Sequence, residues 1–245
     1  MKTVLVSGGN GKFAKELQAY SGRLNDCNVL LPPKRAMDIE DFEQVDSMIE
    51  VVNPDYFIHS AALTRPMSLH EESPHKSIST NIIGTSNVVL ACMKHNTKLI
   101  YISTDYVYPG DEGNYSEDDP LLPFTKYGWS KLGGECSVHI YDNSLILRMC
   151  MANKPFPHMN ALADVTKSFI YNDEAARITL RLLDETGIIN VGGRAETVYE
   201  FARRENPDVG KTFLKDVEDV AMGVDSSMDA VSYTHLRAHE TKANL

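Results

Sequence analysis

Short apolar runs alternate with stretches of helical periodicity along this chain, and the first run passes straight into a glycine loop. Thr3 to Val6 is strand-like, Ser7-Gly8-Gly9-Asn10-Gly11-Lys12-Phe13-Ala14 follows at once, and helical spacing takes over from Lys12 to Tyr20. The same rhythm continues. A strand is predicted at Asn28 to Leu31, ended by Pro32-Pro33, then an acidic helix at Asp41 to Val52 and a strand at Tyr56 to His59. Beyond these come a helix over Ile78 to Lys94, a strand at Leu99 to Ile102, a helix over Thr125 to Tyr141 and a strand at Leu145 to Leu147. Strands joined through helices lie parallel, so the expected class is α/β with a doubly wound parallel sheet. The pattern loosens between Met149 and Lys167, where Pro155 and Pro157 sit, and a domain transition is placed there.

The loop carries its own chemistry. Gly8 permits a tight turn, Gly11 lets backbone approach a pyrophosphate at a helix amino terminus, and the small Ala14 packs closely on the strand. An ordinary strand–helix turn is the competing reading, but position at the first βα junction favours a dinucleotide, contacted by Gly8, Asn10, Gly11, Lys12 and Phe13. Lys12, Lys34 and Arg35 lie where the adenosine ribose is expected, and no acidic residue directly ends the second strand. Basic residues there suit a 2′-phosphate, so NADP(H) is preferred and NAD(H) is the alternative; solvated side chains would account for the same cations.

Tyr127-Gly-Trp-Ser-Lys131 places a phenol and an ammonium on one helix face. A unit charge at ~4 Å and an effective dielectric of ~20 supplies roughly 4 kcal/mol, enough to bring a phenol of ordinary pKa ~10 toward neutrality. The spacing alone is common, and a half-buried tyrosine beside a solvated lysine has the same signature.

Composition removes several classes. The chain has 245 residues, is 42% hydrophobic and 24% charged, and carries a net charge of -10 with no cluster of Lys and Arg. Nucleic acid and anionic membranes are therefore excluded as expected partners. Cys27, Cys92, Cys136 and Cys150 lack C-x-x-C spacing, so reduced core thiols are expected, with no metal site and no disulfide framework. The strand-like start leaves no room for a signal peptide and no apolar run spans a bilayer, so the cytoplasm is expected.

Several further motifs fall in register. Asp38-Ile39, Ser60-Ala61-Ala62, Asn81 in Asn-Ile-Ile-Gly-Thr, Ser103-Thr104-Asp105-Tyr106-Val107-Tyr108, and Tyr127 to Lys131 follow the glycine loop in order. In this set the chain resembles the extended short-chain dehydrogenase/reductases, and Ser-Thr-Asp-Tyr-Val-Tyr is most similar to their dTDP-4-dehydrorhamnose reductase branch. Ser168 to Ala176 and Ile189-Asn190-Val191-Gly192-Gly193 are similar to that superfamily's carboxy-terminal half.

The resemblance implies a Rossmann-like NAD(P)-binding domain over 1–148 and a smaller carboxy-terminal substrate-binding region over 149–229. It implies NADPH-dependent reduction of the C4 ketone of a nucleotide-activated 4-keto-6-deoxy sugar in polysaccharide biosynthesis. Tyr127 would protonate the ketone oxygen, Lys131 would lower the tyrosine's pKa and hold the nicotinamide ribose, and Thr104 would bond the same oxygen. Asp38 and Ile39 would contact adenine, Ser60, Ala61 and Ala62 would line the cofactor, and Asn81 would support a proton relay. A homodimer is admitted.

The alternatives implied by the same family are a non-catalytic NADP-binding regulatory subunit and a sugar-nucleotide epimerase. Dehydration is disfavoured, because Tyr106 stands where the related dehydratases carry a carboxylate. The stretch from Arg148 to Asp164 is shorter than the branch's substrate region. Arg148 is read either as reaching a pyrophosphate or as half of a surface ion pair, and His59 as a satisfied buried histidine. Val231 to Thr241 resembles the translation of a sequencing adapter, so residues 230–245 are expected to be a non-native tail that replaces a last helix.

Overall fold

The computed structural model describes residues 1–23, 27–217 and 222–230; of the expected foreign tail, all but Ala230 lies outside the described residues. In chain order the first half runs β1 (Lys2–Ser7), α1 (Lys12–Ser21), β2 (Cys27–Leu30), α2 (Phe42–Val52), β3 (Tyr56–His59), α3 (Ser68–Glu72) and α4 (Pro74–Ser77). A π-helical turn over Ile78–Ile83 leads into α5 (Gly84–His95), then β4 (Lys98–Thr104), a 3-10 turn at Asp105–Val107, α6 (Lys126–Val138) and β5 (Ser144–Met149). The second half contributes β6 (Met151–Ala152), β7 (Asn160–Leu162), β8 (Thr166–Lys167), β9 (Ile170–Tyr171), α7 (Asn172–Arg181), β10 (Gly187–Val191), β11 (Glu196–Thr197), α8 (Val198–Arg203) and β12 (Gly210–Thr212).

Six strands form one parallel sheet in the order β10-β5-β4-β3-β1-β2. Its strands read as continuous apolar runs because both faces are covered. Val4 and Val6 of β1 face a layer with Phe13 and Leu17 of α1 and Ala175 and Ile178 of α7. Leu5 between them faces the opposite layer, with Val45 and Ile49 of α2, Val88 and Cys92 of α5 and Val138 of α6. Each such aliphatic side chain contributes about 1.5–3 kcal/mol on burial.

Order also locates the cleft. The chain leaves β1 toward β2 on one side and returns to β3 on the other, which opens a crevice beyond the carboxyl ends of β1 and β3. That is where the glycine loop and Ser60–Ala62 emerge.

Three local features depart from the sequence expectation. The helix over Ile78 to Lys94 is not continuous, since its first part widens into the π-helical turn that carries Asn81. Helices α3 and α4 are too short to show periodicity in the sequence. Strand β10 comes from the carboxy-terminal half yet completes the main sheet beside β5. The rest of that half has a smaller apolar centre of its own, with Ala161, Leu162, Val165, Val198, Ala202 and Val209.

Candidate active site

At the β1–α1 junction Gly8 adopts φ +76°, and a Cβ there would lie 2.9 Å from the Ala61 amide nitrogen. Only glycine lets the loop meet the β3 end so closely. The Ser60 hydroxyl donates to the Ser7 carbonyl at 2.7 Å, and the Ala61 amide donates to the Ser7 hydroxyl at 3.2 Å. Helix α1 begins at Gly11 with no side-chain cap, whereas α2 and α6 are capped by Asp41 and Thr125. Its first-turn N–H groups are thus left to an anion, the arrangement a pyrophosphate needs.

The other loop residues divide by role. Asn10 and Lys12 are exposed, but the Phe13 ring is buried in the core and only its backbone faces the loop. Lys34 lies 3.3 Å from an Asp38 oxygen and 3.6 Å from a Glu40 oxygen, so its charge is partly satisfied, while Arg35 is exposed. Ile39 is buried, and its carbonyl accepts from the Asn87 amide at 2.9 Å. This fixes the Asp38–Ile39 turn against α5.

Asn81 ties three segments together. Its Oδ1 accepts from the Leu63 amide at 2.8 Å, and its Nδ2 donates to the Leu63 carbonyl at 3.0 Å and the Ser130 hydroxyl at 2.8 Å. The wider π turn points that amide at the loop after β3 and at α6 simultaneously.

Tyr127 sits half-buried in the first turn of α6, its ring 5.6 Å from that of Tyr106 and 5.2 Å from that of His70. Gly128 allows this approach: a Cβ there would fall 2.3 Å from the Tyr106 carbonyl oxygen. Thr104 ends β4 beside it. Burial first, and then the Asp105 carboxylate, push the Tyr127 phenol well above its ordinary range, while hydrogen bonding with Thr104 pulls it part of the way back.

Lys131 departs from the expected pairing. Its ammonium donates to the Ile102 carbonyl at 2.9 Å and lies 4.0 Å from the centre of the Tyr101 ring. It therefore stands behind β4, and it does not act as the close counter-charge that the four-residue spacing implied for Tyr127. Burial brings Lys131 down to about 7, with Glu135 opposing that shift.

The sequence match decides the family. Residues 1–152, well over half of the chain, match the family described as RmlD substrate binding domain. The chain belongs to that family. Among relatives of this RmlD-family chain, a dTDP-4-dehydrorhamnose reductase of Aggregatibacter actinomycetemcomitans is 30% identical over 150 residues, 60% of this chain and 51% of that protein. Methionine adenosyltransferase 2 subunit beta of Rattus norvegicus is 30% identical over 143 residues, 56% of this chain and 42% of that one. The chain thus spans about half the length of the curated relatives it matches. A solved dTDP-4-dehydrorhamnose reductase from Bacillus anthracis str. Ames, in complex with NADP, is 26% identical with a TM-score of 0.83, covering 93% of this chain and 90% of that one.

Two residues of the RmlD-family chain are corrected by their surroundings. Arg148 is 2% exposed and reaches neither a phosphate nor the surface, because it pairs with buried Glu135 at 3.0 Å beneath α6. Cys136 is exposed, whereas Cys92 and Cys150 are buried as expected. His59 fits its reading: it bonds the Ser7 hydroxyl at 2.7 Å and the Thr85 hydroxyl at 3.0 Å, and burial holds it down to about 3. Among the described residues no group of His, Cys, Asp and Glu could hold a metal ion, and no helix is long and apolar enough to cross a membrane.

Sequence reasoning missed what lies behind the Thr104 turn. Asp105, Lys167 and Ser226 form a buried polar cluster there, and His70 packs on Tyr127 from α3. Asp105 was visible within the Ser-Thr-Asp-Tyr motif, but no local signal joins it to a lysine 62 residues away.

The low Lys131 value has a measurable consequence. The unfolded lysine keeps its proton up to about 10.5, so between 7 and 10.5 unfolding takes up a proton and stability gains with pH. The penalty of the buried ammonium is fully present below pH 7 and is relieved through that window. Lys131→Met removes the penalty, so its stability relative to the parent is expected to fall as pH rises from about 7 to 10. Thermal midpoints of both proteins across that range check it, and a difference that stays flat would contradict the shift.

Proposed function

We propose that the chain is an NADPH-dependent reductase of the C4 ketone of a nucleotide-activated 4-keto-6-deoxy sugar, in the manner of a dTDP-4-dehydrorhamnose reductase. The observation that carries this reading is the meeting of Thr104 and Tyr127 at the carboxyl end of β4, with Lys131 anchored on Ile102 of the same strand, beside an uncapped helix that suits a pyrophosphate. The names of the reductase relatives and the NADP complex of the solved neighbour support it.

In this reading 1–148 is the cofactor-binding unit and 149–229 the substrate-binding region. Gly8, Asn10, Gly11, Lys12 and the Phe13 backbone would hold the pyrophosphate, Asp38 and Ile39 the adenine, and Ser60, Ala61 and Ala62 the inner wall. The bound dinucleotide would supply the hydride. Tyr127 delivers the proton to the ketone oxygen as charge develops there, a general-acid role for which a phenol held protonated is the correct ground state. Lys131 spends one donor on Ile102 and offers its remaining N–H groups to ribose hydroxyls. Asn81 keeps the loop after β3 in register with α6.

The test is NADPH oxidation against a panel of nucleotide 4-keto sugars. Turnover with none of them, alongside retained NADPH binding, would favour the second reading, a regulatory subunit. That reading draws support from the likeness to methionine adenosyltransferase 2 subunit beta.

Cofactor choice rests on Lys34 and Arg35. Because Lys34 already faces Asp38 and Glu40, Arg35 carries the larger share of any 2′-phosphate contact. Charge-assisted bonds are worth about 1.5–3 kcal/mol, so Lys34→Ala with Arg35→Ala is expected to weaken NADPH at least tenfold more than NADH. Paired binding titrations decide it, and an unchanged ratio would return the preference to NAD.

The setting proposed is the cytoplasm and polysaccharide biosynthesis, and the assembly a homodimer. Leu90 and Trp129, 56% and 51% exposed on α5 and α6, are the apolar residues offered to a second copy. Sedimentation at a monomer mass would sink that assembly.

A further inference from the structure

Directly behind the Thr104 turn lies a charge pair taken almost wholly from water. The Lys167 ammonium, on a side chain 1% exposed, donates to Asp105 Oδ2 at 2.6 Å and to the Ser226 hydroxyl at 2.7 Å. That hydroxyl in turn donates to the same Asp105 oxygen at 2.8 Å. The other carboxylate oxygen accepts from the Thr104 hydroxyl at 3.1 Å. Lys167 also stands 4.5 Å from the centre of the Tyr106 ring, which packs on Tyr127. The pair thus links β8 and the segment around Ser226 to the turn that borders the reacting phenol.

These contacts fix the sense of the hydrogen bonds. Thr104 Oγ1 accepts from the Tyr106 amide at 3.3 Å, and an ionised carboxylate can only accept, so the Thr104 proton is committed to Asp105. Toward the cleft the same Thr104 oxygen meets the Tyr127 hydroxyl. An uncompensated Asp105 would hold that hydroxyl harder and set a full negative charge beside a phenol that must give up a proton.

We propose that Lys167 is a positioning residue: its ammonium offsets the Asp105 carboxylate, which lets Thr104 orient Tyr127 without the carboxylate opposing proton transfer. The role assigned to Tyr127 rests on the reductase reading; the electrostatic coupling does not. Burial alone would push the Lys167 ammonium down, but Asp105 overrides it and holds Lys167 above its ordinary range, so the counter-charge persists across the working pH. The other groups that face the phenol and its carboxylate neighbour are Tyr106, Arg65, His70 and Cys150, with Lys131 on the same helix.

The test places 3-nitrotyrosine at position 127 of the full chain, since its phenolate absorbs visibly and ionises in an accessible range. Lys167→Met is expected to raise the proton affinity of that phenol about tenfold, one pKa unit. Asp105→Asn, which leaves the cation without its partner, is expected to lower it, and Asp105→Asn with Lys167→Met is expected to return it to within about threefold of the parent. The opposite signs of the two single variants decide the matter even where one of them folds poorly. Titrations that coincide in parent, single and double variants would overturn the proposal. In the natural Tyr127 background the same Lys167→Met change is expected to lower kcat with little change in KM, and the double variant to recover most of it. A parent that oxidises no NADPH with any nucleotide keto sugar would remove the reductase reading, while the nitrotyrosine titration would still report on the coupling.

Discussion

Tyr127→Phe is expected to lower kcat by about 10²–10⁴-fold, the usual contribution of a positioned general acid, while NADPH affinity stays within about twofold of the parent. The variant gives up the hydroxyl's hydrogen bond with Thr104, but the ring packs on Tyr106 and His70, and those contacts survive loss of the oxygen. Steady-state turnover together with a fluorescence titration of bound NADPH separates the two effects. Equal turnover in the variant would end the assignment of Tyr127. Because burial and Asp105 hold the phenol protonated well above neutrality, the rate is expected to stay flat across the neutral range on account of this group.

The second large effect is structural. Arg148→Met is expected to destabilise the fold by about 3–5 kcal/mol, since it strands the Glu135 carboxylate in the interior. Both side chains are nearly sealed, and the arginine also donates to the Tyr108 hydroxyl at 2.8 Å and the Glu117 carbonyl at 3.1 Å. Glu135 accepts from the Ser103 hydroxyl in addition. A typical domain has only about 5–15 kcal/mol in all, so the variant should stand near the edge of folding. Arg148→Met with Glu135→Leu should recover much of the loss, because no unpaired charge remains. Denaturant midpoints measure both, and a single-variant loss under about 1 kcal/mol would show that Glu135 finds water or another partner.

Local order was legible wherever the chain speaks to itself over a few residues. The strand Tyr56–His59 lies where its apolar run placed it, and α1 and α2 begin within a residue of their expected starts. The glycine loop declared its turn because Gly8 and Gly11 are local requirements. What the sequence hid is every pairing that depends on the third dimension. The four-residue spacing of Tyr127 and Lys131 is real, but a lysine stem is long and the Ile102 carbonyl behind β4 captures its ammonium. Arg148 read as a strand-end cation, and only the packing of α6 over β5 makes it a buried one. Lys167 stands just ahead of the Ser168 to Ala176 stretch and outside it, in a segment of weak periodicity, so nothing local distinguishes it from a solvated lysine.

Strand β10 gives the molecule a schedule. During synthesis the β5 edge, with Leu145 and Leu147, is complete at Met149, whereas the strand that covers it ends only at Val191. At ~5–20 residues per second, those intervening residues take roughly 2–8 s to emerge. Throughout that interval an apolar edge strand is open to any extended segment nearby. A gene cut between these two points would therefore yield a polypeptide that seeks its missing neighbour in other copies of itself, and inclusion bodies would be its natural fate.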